Sequence, residues 1–230
     1  MRLALFFALF LSISCGSREP KEEVKARAPE PAAAPAPAPP PVNDARPVIV
    51  AYGDSLSAGF GVPAGESFPD FLQKELDRQG YAYRVVNEGI SGDTTSGGLA
   101  RLDTVLARKP EIAILELGGN DGLRGLPLRT TRQNLEAMIQ GLRKAGVKVL
   151  LAGMTLPPNY GPDYVKQFEQ IYVELAATYK LPRIPFLLEG VATVPGLMQQ
   201  DGIHPTTEGN RRVAALVMKY LKPMLEKPAK

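Results

Sequence analysis

Beyond residue 15 the chain contains no cysteine; Cys15 is the only one it has. That scarcity excludes disulfide staples, a cysteine nucleophile and thiolate metal sites from everything C-terminal to it. Histidine is as rare, with His204 standing alone. A histidine-rich metal site is therefore impossible, an all-carboxylate one is not excluded, and nothing in the sequence calls for a cofactor. An excess of one charge is also missing. The net charge is +3, and acidic and basic residues alternate along the helical segments. No basic stripe of the kind nucleic-acid binding needs is present, and there are no internal repeats. Long hydrophobic runs are absent too: the most apolar stretch, near the N-terminus, is too short for a permanent bilayer-spanning helix.

What that N-terminal stretch does have is order. In "MRLALFFALFLSISC" (1–15) one positive charge at Arg2 precedes a short apolar run and then small residues, the layout of a secretory signal peptide. Leu11-Ser12-Ile13-Ser14-Cys15 resembles the bacterial lipoprotein signal, in which the cysteine becomes the lipidated N-terminus. Two or more acyl chains on Cys15 would anchor the protein stably where one would not. Gly16, rather than Asp, follows the cysteine; by resemblance to Gram-negative lipoproteins this implies the outer membrane, facing the periplasm. Residues 16–46 form a spacer. Its Pro/Ala-rich part, "EPKEEVKARAPEPAAAPAPAPPPVNDAR", has little apolar side chain to bury. Roughly 30 residues at ~3.1 Å each would reach on the order of 90 Å when extended. The remainder, 47–230, has the size of one domain.

Within it, apolar runs alternate with amphipathic stretches. Strands are expected at 47–52, 83–87, 111–118, 148–154 and, weakly, 183–187. Their near-continuous apolar character, broken at Glu116, fits a sheet covered on both faces. Helices are expected after Ser67, ending near Gly80, around Leu99–Leu106 and Leu135–Leu142, with Gly146 closing the latter, and around Val165–Leu175 and Val213–Leu221. Alternation of this kind predicts an α/β fold, a three-layer α/β/α sandwich on a five-stranded parallel sheet. In such sheets ligands sit beyond the carboxyl ends of the strands.

Four post-strand stretches carry candidate chemistry. Gly53-Asp54-Ser55 ends the first strand on a sharp turn that exposes a hydroxyl, which needs a neighbouring base to become a nucleophile; it reads equally as a helix cap. It is not G-x-S-x-G, because position 57 is Ser. Gly92 in "NEGISGDT" lets the backbone approach a ligand and aim an N–H at developing negative charge, or simply turns the chain. Asn120 in Gly118-Gly119-Asn120-Asp121-Gly122 offers a side-chain amide, or ordinary turn chemistry. Asp201-Gly202-Ile203-His204-Pro205 sets a carboxylate three residues from an imidazole, so that one can fix the tautomer of the other and leave Nε2 free to take a proton; alone it also reads as a surface loop.

Taken together, Gly53-Asp54-Ser55-Leu56, Gly92, Gly118-Gly119-Asn120-Asp121 and Asp201-Gly202-Ile203-His204-Pro205 resemble the four blocks of the SGNH (GDSL) hydrolase family. The likeness covers nearly all of the chain beyond Pro47. "GISGDTTSGGLARL", "LELGGNDGLRG", "LPPNYG" and "DGIHP" look most like its bacterial periplasmic multifunctional thioesterase/lysophospholipase group, also known as arylesterases. Glu88 and the anchor with its spacer depart from what the soluble members of that group would lead one to expect. The resemblance implies a flavodoxin-like fold and hydrolysis of carboxylic esters or thioesters through an acyl-serine. Ser55 is then the nucleophile, His204 the general base and acid, and Asp201 its orienting partner. The Ser55 and Gly92 backbone N–H groups and the Asn120 side chain form the oxyanion hole. Asp54, Asp93 and Asp121 are expected to brace loops through backbone N–H groups. The segments 121–127 and 156–164 are candidate walls of an acyl groove. The partners are a small-molecule or lipid acyl ester and a membrane, with the protein a monomer. A glycan O-acetyl esterase, or a lipoprotein that binds lipid or glycan without turnover, are the competing readings.

Overall fold

A computed structural model describes residues 44–226; the expectations for Cys15, for the signal segment 1–15 and for the spacer as far as residue 43 lie outside the described residues. The described fold starts at Asp44, slightly ahead of Pro47. Asp44 accounts for this: its carboxylate pairs with Arg46 at 2.6 Å and reaches Arg84 at the start of the second strand.

Five parallel strands form one sheet in the order β2-β1-β3-β4-β5: β1 (Val48–Gly53), β2 (Arg84–Gly89), β3 (Pro110–Glu116), β4 (Lys148–Ala152) and β5 (Arg183–Ile184). The expected three-layer α/β/α sandwich is what forms. On one face α2 (Phe68–Arg78) packs against α8 (Thr207–Leu221); on the other lie α3 (Thr95–Ala100), α6 (Leu128–Lys144) and α7 (Pro162–Tyr179). All of β1 is buried, and so is β3 apart from Glu111, as a sheet covered on both faces requires. The chain leaves β1 toward β2 on one side and returns to β3 on the other, so the strand order reverses beside β1, where a doubly wound sheet opens a crevice at its carboxyl edge.

Local sequence explains the boundaries. Ser67 starts α2 with a reciprocal capping box to Asp70, and Gly80 turns the chain after it at φ 76°. The helix expected around Leu99–Leu106 is two pieces, α3 and α4 (Leu102–Leu106). Arg101 interrupts it in the bridge region of backbone space (φ −108°, ψ 15°). β5 is shorter than 183–187 because Pro185, which has no N–H, follows Ile184. The chain nevertheless stays beside β4, with Gly153 N–H donating to Ile184 O and Leu187 N–H to Gly153 O. Among the described residues no helix is long and apolar enough to cross a membrane.

Candidate active site

Three loops at the carboxyl edge of the sheet meet at one crevice. The first carries Ser55. β1 ends at Gly53, where an added Cβ would strike Ser57 Oγ and Glu116 Oε2, so only glycine fits. Asp54 then caps α1 (Ser55–Ala58), its Oδ1 accepting from Leu56 N–H at 3.0 Å. This leaves Ser55 as the first residue of a helical turn, where its own N–H has no intrahelical acceptor.

The last loop carries His204. It is folded back on itself by an antiparallel bridge between Met198 and Pro205. Gln199 N–H donates to His204 O at 2.8 Å, and Gly202 turns at φ 69°. Asp201 Oδ1 accepts the backbone N–H groups of Ile203 and His204 (2.9 and 3.0 Å), while its Oδ2 lies 2.6 Å from His204 Nδ1. His204 Nε2 lies 2.9 Å from Ser55 Oγ across 149 residues of sequence. With the Nδ1 proton directed to Asp201, Nε2 is the acceptor for the serine hydroxyl. Burial pulls the Asp201 carboxyl upward, but the hydrogen bonds from His204 and from the Ile203 amide outweigh it and hold Asp201 below its usual range.

The other two expected residues are placed less simply. Asn120, in α5 (Gly119–Leu123), lines the crevice with Gly119. Its Nδ2 donates to Asp54 Oδ2 at 3.1 Å and to Asp93 O at 2.9 Å, so both amide hydrogens are engaged. Gly92 (φ 81°) is exposed on the rim and is not among the residues that line the crevice. Its carbonyl accepts from Arg124 at 2.9 Å, and no acceptor among the described residues takes its N–H.

The three aspartates divide. Asp121 is bound by the Thr95 amide at 2.8 Å and by the Thr95 hydroxyl, which ties α5 to α3. Asp54 braces a backbone N–H as expected and also holds Asn120. Asp93 departs from expectation: its carboxylate takes the Arg101 guanidinium at 2.8 Å rather than a backbone amide. Arg101 also donates to Gly53 O at 2.9 Å and lies over the Tyr52 ring, pinning the Gly92 loop to the end of β1. Glu88 pairs with Arg108.

Two neighbours escaped sequence reasoning. Phe60, 50% exposed, sets its ring 4.6 Å from that of His204, held there by Gln199 Nε2 donating to Phe60 O at 2.7 Å. Glu116 is fully buried directly beneath the Ser55 turn; its one sequence signal is a carboxylate in an otherwise apolar strand.

The crevice opens into a groove of about 680 Å³ lined largely by apolar side chains: Leu123, Leu156 and Pro157 on one part, Phe186, Leu188 and Ile203 on another. Leu123 and Leu156–Pro158 come from the two segments expected as walls. They are fastened together by Tyr160, whose hydroxyl donates to Leu123 O at 2.8 Å. Among the described residues no three His, Cys, Asp or Glu side chains cluster as a metal site would require.

Comparison with known proteins shows the family to which the chain belongs. Residues 51–212 match the family described as GDSL-like Lipase/Acylhydrolase. The chain is 49% identical over 182 residues to the esterase TesA of Pseudomonas aeruginosa, covering 79% of this chain and 90% of that protein. It is 40% identical over 182 residues to thioesterase 1/protease 1/lysophospholipase L1 of Escherichia coli K12, covering 79% of this chain and 86% of that one. The crystal structure of TesA superposes with a TM-score of 0.75 at 49% identity, over 77% of this chain and 99% of that one.

Proposed function

From the premise that this chain belongs to the GDSL-like lipase/acylhydrolase family, we propose that it hydrolyses carboxylic esters and thioesters of apolar acyl groups through an acyl-serine. The observation that carries the reading is the unbroken line Ser55 Oγ, His204 Nε2, His204 Nδ1, Asp201 Oδ2.

Ser55 Oγ attacks the substrate carbonyl carbon as His204 takes its proton; Asp201 holds the imidazole in the required tautomer and stabilises its charged form. The new oxyanion is met by the Ser55 N–H and the Asn120 amide, and by the Gly92 N–H, which is unengaged on the rim among the described residues and is reached when the substrate carbonyl seats there. Asn120 delivers its donor by sharing the hydrogen now given to Asp93 O, so the hole is completed as substrate arrives. The tetrahedral intermediate collapses, the carbon–oxygen or carbon–sulfur bond breaks, and His204 protonates the leaving alcohol or thiol. Water, deprotonated by His204, then attacks the acyl-serine, and the acid departs as Ser55 regains its proton. The apolar groove holds the acyl chain, which favours medium or long acyl esters, lysophospholipids and acyl thioesters over acetylated glycans.

Ser55→Ala is expected to abolish the burst with p-nitrophenyl esters and labelling by a fluorophosphonate; retention of both in a folded variant rejects the assignment. A chain-length series of p-nitrophenyl esters separates the substrate classes, since turnover confined to acetate would favour a glycan O-acetyl esterase. We further propose that residues 1–15 direct export and that Cys15 is lipidated, placing this enzyme as a monomer on a tether at the outer membrane. Radiolabelled palmitate should enter the wild type and not Cys15→Ala; equal labelling removes the anchor from the account.

A further inference from the structure

The strand that ends beneath the nucleophile turn carries a carboxyl group that the proposed mechanism does not use. Glu116 is the last residue of β3, in register with Gly53 of β1. It is 0% exposed, and Asp54 beside it is 2% exposed. Glu116 Oε2 accepts from the Asp54 backbone N–H at 3.1 Å and from the Ser57 hydroxyl at 2.7 Å. Its other oxygen, Oε1, finds no donor among the described residues. A carboxylate oxygen left bare in the interior is costly, whereas a carboxylic acid turns the same oxygen into a donor.

The surroundings supply a recipient. A second buried carboxyl stands beside Glu116, that of Asp54, whose backbone N–H Glu116 Oε2 accepts. The groups that face the pair are the Ser57 hydroxyl from α1, the Asn120 amide from α5, Tyr172 from α7 and His204 from the last loop. Among the described residues neither carboxyl has an ion pair with Lys or Arg. Of two buried neighbouring carboxyls without a cation, one is strongly favoured to stay neutral. Burial raises both, and Glu116, the more deeply placed and repelled by Asp54, is raised well above its ordinary range.

We propose that Glu116 is a positioning residue that remains a neutral acid at physiological pH and donates its proton to Asp54, locking the turn that presents Ser55 and, through Asp54, the Asn120 amide. The connections run both ways from that proton. On one side Glu116 Oε2 holds the Asp54 amide and Ser57, fixing both ends of the short turn that contains Ser55. On the other, the Asp54 carboxylate that receives the proton caps Leu56 with Oδ1 and orients Asn120 with Oδ2. A carboxylate at 116 would instead drive Asp54 away and release both contacts.

The kinetic part of this proposal rests on the serine-hydrolase reading; the spectroscopic part does not. Infrared difference spectra of wild-type protein against Glu116→Gln, at neutral pH in D₂O, are expected to show the carbonyl stretch of a protonated carboxyl group that Glu116→Gln lacks. Glu116→Gln keeps a donor and an acceptor without charge and is expected to retain kcat within about 3-fold. Glu116→Ala is expected to lower kcat between about 10- and 100-fold, by displacing an oxyanion donor, with KM changed less than about 3-fold. Absence of the band from wild-type protein overturns the proposal, and so does full kcat in a folded Glu116→Ala. The wild-type spectrum decides even where Glu116→Ala does not fold. Failure of the hydrolase reading would look different: Ser55→Ala would turn over ester while the band persisted.

Discussion

Ser55 is presented by a turn that tolerates almost no extra atoms. Gly53→Ala would drive a methyl group into Ser57 and Glu116. It is expected to cost about 1–3 kcal/mol, as overpacking does, together with most of the activity; thermal denaturation beside p-nitrophenyl ester turnover checks both. Asn120→Ala is expected to lower kcat by ~10²–10³; a loss of only a few-fold would place this amide outside the oxyanion site. Asp54→Ala should reduce stability by removing the cap of α1, about 1 kcal/mol. It should also reduce kcat, because its second oxygen holds Asn120; a pure stability loss would separate the two. The serine and the asparagine were legible because each sits where a strand ends, the Asp-x-x-His because it directly precedes the last helix, and all three belong to recognisable blocks. Glu116 and Phe60 were not. Glu116 is written into an apolar strand and has no neighbour in sequence that pairs with it. Phe60 reads as a loop residue until the fold lays it on an imidazole 144 positions away.

Elements hold these residues in register. The five strands and their covering helices were readable from apolar runs alternating with amphipathic ones, whereas the strand order β2-β1-β3-β4-β5 was not. Nor could the places be read where tertiary contact sets the ends. Arg101 splits one helical stripe into α3 and α4 while its guanidinium reaches Asp93 and Gly53 O. The groove walls were half legible: Leu123 and Leu156 lie in expected segments, whereas Phe186 and Leu188 arrive from the chain that leaves β5 after Pro185. Gln199 is the hinge pin between two loops, donating to Phe60 O and Pro205 O. Gln199→Ala is expected to loosen both together and to lower kcat about tenfold, through misplacement of the catalytic groups, while Thr206→Ala, which uncaps α8, costs about 1 kcal/mol. Steady-state kinetics with a melting curve for each variant separates the two effects; equal kcat in Gln199→Ala and wild type would dismiss the pin.

Across the described residues, two sets of carboxyls, one exposed and one buried, pull stability in opposite directions with pH. Asp201 is held below its usual range, so the stability it contributes is complete above about pH 4 and drains away as pH falls through its lowered pKa. Asp54 and Glu116 are raised by burial, so the folded state keeps protons the unfolded chain has released. Their contribution is fully present below about pH 4 and is lost as pH rises toward the raised values, by about 1.4 kcal/mol per pH unit for each proton held. The melting temperature of Glu116→Gln should therefore fall less steeply than that of the wild type as pH rises above the ordinary carboxyl range; parallel curves would show that position 116 holds no proton. A different opportunity follows from His204, the chain's only histidine, lying between Ser55, Asp201 and the Phe60 ring. Its imidazole resonances in a proton NMR spectrum have no rivals to be sorted from, so one unlabelled sample carries a built-in beacon at the mouth of the groove. Titration of the ring, arrival of a fatty tail and acylation of the neighbouring hydroxyl can each be followed on that solitary signal.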